Sequence, residues 1–315
     1  MPIILTMPPP PDDADFSFRS KCNYMAALLL AVRARHGATW FDSARSEVLQ
    51  PMKKFAGRPR VPLTGEIEKA LRNGWNTEVL LGLPRDELIQ SANHWAPIQA
   101  YYSTFHMARS LLLAENQNPT THRGYLDIVA DRVANSSRFP YPLNTACVSF
   151  IPRPSVVGLS EGFEWDSDFQ AIRLPSTYSC EQYVFSSLKT TREYLLGEQR
   201  LKWLKENKRQ RISAEARAAH DRGLKATTIF DLLYRFRVLA NYGDADVFVS
   251  GGLADHDPYR FFNSLVETVA FINFVFEVML VARLGIDSMM EASAGVHASA
   301  DPDFALSRRR ENWVA

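Results

Sequence analysis

The sequence predicts a mainly α protein, and three observations carry that reading. Apolar residues recur at helical spacing in Ala100 to Tyr125 and again in Leu232 to Phe248, so these segments read as two helices of one bundle. Asp257-Pro258 is a helix start, an N-cap followed by proline in the first turn, and the apolar run behind it ends at Gly285. Strand-like runs, ACVSFI and FQAIRL, are confined to one proline-punctuated stretch over 136–179.

The elements follow in order. Residues 1–16 read as an extended arm, because Pro8 to Pro11 cannot be helical. Ser17 to Arg35 is a helix around MAALLLAV, and Ser43 to Phe55 and Thr64 to Trp75 are short helices. These form an accessory N-terminal region over 1–84. A long helix then runs from Pro84 to about Glu115, with a kink at Pro97. The polar segment Asn116 to Thr120, which contains Pro119, stops that helix, and Thr121 to Ala134 is a further helix. Loop and one small hairpin fill an insertion at about 136–180. Helices resume over Glu181 to Asn207 and over Ala214 to Asn241, the second broken near Gly223. The main body is therefore 85–285, and 286–315, small and polar, is a mobile tail.

Composition bounds the function. The chain has 315 residues, 46% apolar and 23% charged, which suits a globular protein with a sizeable core. Lys and Arg number 36 against 35 Asp and Glu, so at a net charge of +1 the whole chain gives no pull toward nucleic acid or membrane. Cys22, Cys147 and Cys180 form no CxxC, and a reducing cytoplasm is the expected location. The N-terminus lacks the basic and apolar regions of a secretory signal. Phe261 to Leu284 is apolar, but Asn263, Glu267, Asn273, Glu277 and Arg283 interrupt it, so it reads as a core helix and not a membrane span.

Candidate chemistry sits in two clusters. On the first segment, Tyr102 and His106 lie four apart on one face with Arg109 a turn further, a set able to bind an anion or orient a proton carrier. His122 and Arg123 fall in the first turn of the next helix, where unpaired N–H groups favour a phosphate; capping by Thr120 or Thr121 is the plainer alternative. On the second segment, Arg237, Asn241, Tyr242 and Asp244 gather at the helix end around Gly243. Arg237 and Tyr242 are five apart and converge only if that end tightens or unwinds. A basic run from Arg200 to Lys225 holds nine Lys or Arg against three acids, with Trp203 interleaved. Lys205, Lys208, Arg209 and Arg211 are its candidate phosphate contacts, against the alternative of a solvated helix pair. Arg308-Arg309-Arg310 with Trp313 offers a second contact of the same kind. There is no GxxxxGK[ST], GxGxxG or HExxH, and N-capping explains Asp257 in Asp255-His256-Asp257; no metal and no cofactor are expected.

The pattern YY..FH.AR.LL, a THRG turn and a later LR..A.YGD-like stretch resemble the HEPN superfamily, in the prokaryotic branch associated with minimal nucleotidyltransferases. The matching residues are Tyr101, Tyr102, Phe105, His106, Ala108, Arg109, His122, Arg123, Gly124, Arg237, Ala240, Tyr242, Gly243 and Asp244. A weaker similarity is to YaaC-like bacterial proteins. The resemblance covers roughly Asn93 to Val133 and Thr228 to Leu284. It implies a HEPN-like antiparallel bundle that dimerises, and a metal-independent endoribonuclease of a bacterial defence or toxin–antitoxin system. It also implies Arg237 as a catalytic residue. The family's signature is Arg, four to six residues, then His; here Tyr242 stands where histidine is expected. Tyrosine titrates near 10 against about 6.5 for histidine, so His106 or His122 would have to serve as acid or base. The alternative is a non-catalytic subunit or an RNA- or nucleotide-binding module that assembles with a partner such as a nucleotidyltransferase.

Overall fold

A computed structural model describes residues 13–52, 60–84, 88–135, 138–151, 153–243, 247–248, 257–296 and 306–313. The chain is mainly helical. The elements are α1 (Asp13–His36), α2 (Phe41–Met52), α3 (Gly65–Leu81), α4 (Ile89–Ala92), α5 (Ala96–Ala114) and α6 (His122–Asn135). Then come β1 (Ala146–Ser149), β2 (Ser155–Val157), α7 (Cys180–Glu206), α8 (Ala214–Gly223), β3 (Thr227–Thr228) and α9 (Ile229–Val238). A π turn (Leu239–Gly243), α10 (Asp257–Leu284), α11 (Ile286–Ser293) and α12 (Leu306–Glu311) complete it.

The centre is α10. Its length and apolar character would suffice to cross a membrane, yet most of it is buried against α1, α2 and α5. Phe271 and Phe274 meet Trp40 with ring centroids 5.2 and 5.4 Å apart, and Phe261 meets Phe18 at 5.4 Å. Beside it, α3 and α5 pack closely because Gly74 has no side chain: a Cβ there would lie 2.7 Å from Met107 Sδ. Ser103 of α5 donates to the Gly74 carbonyl at 3.0 Å, which pins the crossing.

Several expectations need correction. The helices of 1–84 are not accessory, since α1, α2 and α3 share one core with α5 and α10. The expected arm falls almost wholly outside the described residues, and α1 starts at Asp13. The break before α5 lies at Asn93 to Trp95, ahead of Pro97, which starts the helix and does not kink it. Of the two strand-like runs, ACVSFI supplies β1, while FQAIRL forms no strand. β1 instead pairs antiparallel with β2 and with β3, giving the order β2-β1-β3. β3 was hidden inside an expected helix. There Thr228 and Asp231 form a capping box that restarts the chain as α9.

The tail departs most from expectation. Arg309 is fully buried and ion-paired to Glu78 and Glu277, the latter at 2.8 Å. Trp313 and Trp75 both donate to the Glu277 carboxylate, at 3.0 and 2.8 Å. Asn273 donates to Glu78 and to Ser103 Oγ. Arg309 and Trp313, read as an outward nucleic-acid contact, are therefore core residues. The reason is local: two carboxylates on α3 and α10 are buried there, and a guanidinium is the group that satisfies both.

Candidate phosphate site at Arg237

Four elements build the site. On α5, Tyr101, Ala108, Leu111 and Leu112 face the core, which turns Tyr102, Phe105, His106 and Arg109 onto a half-buried flank. α9 packs against α5 through buried Leu232, Leu233 and Phe236, and its Tyr234 and Arg237, three apart, share a face. α6 brings His122 in its first turn. The π turn closes the set. Its wider winding brings residues five apart onto one side, so Tyr242 comes back over Arg237. Nε2 of His94 donates to the carbonyl of Ala240 at 3.0 Å and holds that turn.

Arg237 is the hub. Its Nη2 donates to the Tyr102 hydroxyl at 2.9 Å. Its guanidinium lies 5.4 Å from the ring centre of Tyr102, 5.8 Å from Tyr242, and 5.9 Å from both Tyr101 and Tyr234. Among the described residues it has no carboxylate partner, and its Nε is buried without a hydrogen bond. Nε of Arg109 is unpartnered in the same way.

The two imidazoles flank Tyr102. The ring of His106 stacks on it at 6.3 Å, and His122 meets it edge-on at 6.0 Å. Nδ1 of His122 is 2.8 Å from the Tyr101 hydroxyl, which leaves Nε2 for another partner. Burial holds the Tyr101 phenol far above the ordinary tyrosine range, so it keeps its proton. Burial, then the nearby Arg237, holds His122 below the usual histidine value. Burial, with Arg109 and His122, pushes His106 down to about 4, and its Nδ1 has no partner. At neutral pH the pocket therefore presents two guanidiniums and neutral imidazoles, with no acid paired to either guanidinium among the described residues.

Other candidates fall elsewhere. Arg123 pairs with Asp127, at 2.6 Å, and with the fully buried Asp231, at 3.2 Å. Two carboxylates hold its charge, so it is not the free phosphate ligand expected. Thr121 Oγ1 accepts from Gly124 N at 3.0 Å, so the plainer capping role holds for this helix start. Asn241 is half-buried within the π turn, and Asp244 lies outside the described residues. Lys205, Lys208, Arg209 and Arg211 are exposed at the end of α7 and in the loop after it. α7 touches α9 where Arg235 donates to Thr190 at 3.2 Å. Lys205 is then ~22 Å further along the helix at ~1.5 Å per residue, so these cations form a separate patch.

Tyr234 and His94 were not foreseen. The spacing of Tyr234 to Arg237 signalled one of them; nothing local signalled His94, whose role depends on where a distant helix ends. Among the described residues no group of three His, Cys, Asp or Glu comes together to hold a metal ion. No family model, no curated protein and no solved structure matches this chain.

Proposed function

We propose that the Arg237 cluster binds the phosphate and base of single-stranded RNA or a nucleotide, as the binding module of a HEPN-like protein from a bacterial defence or toxin–antitoxin system. One observation carries the reading: a half-buried guanidinium with no carboxylate partner among the described residues, ringed by four tyrosines. Leaving such a charge without a counter-ion is costly, and an anion relieves it. Because the Tyr102 hydroxyl accepts from Arg237, its own proton is free to donate to a phosphate oxygen. Tyr242 is 76% exposed and offers a face on which an unstacked base can lie. The patch at Lys205 to Arg211 adds backbone contacts for a longer strand.

Endoribonuclease activity is the second reading, favoured by the closeness of both imidazoles to Tyr102. In it, neutral His122 or His106 takes the proton of the ribose 2′-OH, the oxygen attacks the adjacent phosphorus, Arg237 stabilises the phosphorane, and the P–O5′ bond breaks to give a 2′,3′-cyclic phosphate as the imidazolium returns its proton to the departing 5′ oxygen. The family pattern also implies a dimer, or a complex with a partner such as a nucleotidyltransferase. Fluorescence anisotropy with a short single-stranded RNA, beside gel assays of cleavage, tests both readings. Binding lost in Arg237→Ala supports the site. Cleavage lost in His122→Ala with binding kept supports the enzyme. Wild-type protein that neither binds nor cleaves defeats both.

A further inference from the structure

A second anion site lies away from the Arg237 cluster. A cleft of about 650 Å³ opens where the start of α3, the end of α10 and the loop after α5 meet. Arg60 and Arg283 line it, together with Thr64, Glu66, Asn116 and Asn118. Neither guanidinium has an ion pair among the described residues, and Nε of Arg283 is buried without a hydrogen bond. Among the described residues Glu66 is the one carboxylate in the wall, and it pairs with neither arginine.

The fold holds both arginines there. Val61 N donates to the Arg283 carbonyl at 2.9 Å, which ties the segment carrying Arg60 to the end of α10. Gly285 ends that helix at φ 90°, and the Arg60 guanidinium lies over it: a Cβ would come within 2.8 Å of Arg60 Nη1. Two like charges are thus gathered in a concave site with amides beside them and Ile67 and Leu113 behind. Elsewhere in this protein, at Arg123, Arg192 and Arg309, inward-facing guanidiniums have carboxylates.

We propose that this cleft binds a small organic phosphate, its phosphate between Arg60 and Arg283 and its apolar body against Ile67 and Leu113. The volume falls within the range of small-ligand pockets, ~300–1,000 Å³. The site is independent of the Arg237 cluster. Isothermal titration of the full chain carrying Arg237→Gln, which removes phosphate contact at that cluster, with phenyl phosphate, inorganic phosphate and phenol tests it. Phenyl phosphate binds tightest, inorganic phosphate more weakly, and phenol not at all. In that background, Arg60→Gln and Arg283→Gln each weaken phenyl phosphate at least tenfold. Arg60 is exposed, so Arg60→Gln keeps the test valid if Arg283→Gln disturbs folding. The proposal is overturned if neither phosphate binds the Arg237→Gln chain, or if binding there survives both further substitutions together.

Discussion

Arg309 and Arg237 are both drawn inward by the fold, yet their surroundings are opposite. Arg309 is fully buried, held by Glu78 and Glu277 and roofed by Trp75 and Trp313, whose rings stack at 6.2 Å. Arg237 is half-buried, with a phenol hydroxyl and four ring faces in place of carboxylates. The first arrangement satisfies a charge within the protein and locks the chain end to the core. The second leaves the charge open on one side. Arginine alone does not mark a binding site; the proposal for Arg237 rests on its being brought inward with no acid partner among the described residues.

That contrast can be broken first at Arg309. Arg309→Met strands two buried carboxylates, and we expect a stability loss of ~3–5 kcal/mol in urea denaturation. Adding Glu78→Gln and Glu277→Gln to the same chain recovers much of it, since no uncompensated charge remains. A loss below ~1 kcal/mol for Arg309→Met would mean that the tail is not a structural lock. Arg237→Ala is expected to behave in reverse. RNA affinity drops at least tenfold in anisotropy, ~1.4 kcal/mol or more, while the urea midpoint moves little. Equal destabilisation by the two substitutions would erase the distinction.

Tyr242→Ala sharpens the open side further. Loss of one stacking face should weaken a short RNA by ~1–3 kcal/mol with stability unchanged, because the ring is mostly exposed. Unchanged affinity would remove Tyr242 from the site and leave phosphate contact alone. The smallest effect is pH dependence. His106 titrates near 4 in the folded chain against ~6.5 when unfolded, so the unfolded state takes up the proton first. Its contribution is fully present above pH ~6.5 and is lost as pH falls toward 4. Melting temperatures measured across that window should decline less steeply for His106→Gln than for wild type. Parallel curves would show that His106 is not held neutral by the fold.

Legibility from sequence divided along physical lines. The helices of α5, α6, α7 and α10 were readable because amphipathic spacing, Asp257-Pro258 and Gly285 act over a few residues. β3 was not, since two residues become a strand only when β1 is alongside. At the site, Tyr102, His106, His122, Arg237 and Tyr242 were all named in advance, from spacing and from the HEPN resemblance. Arg123 was named too, but its burial partner Asp231 lies 108 residues away in sequence, and nothing local revealed the pair.

By itself the sequence determined where most of the long helices lie and which of their faces carry tyrosine, histidine and arginine. Those properties rest on capping, periodicity and proline and glycine geometry, all short-range. Only the tertiary structure decided which arginines are satisfied. It placed carboxylates from α3 and α10 around Arg309 and, among the described residues, aromatic rings and a tyrosine hydroxyl around Arg237, and it widened one helical turn so that Tyr242 closes over the cation. Charge compensation depends on distances of a few ångströms between residues far apart in the chain, and folding alone sets those distances.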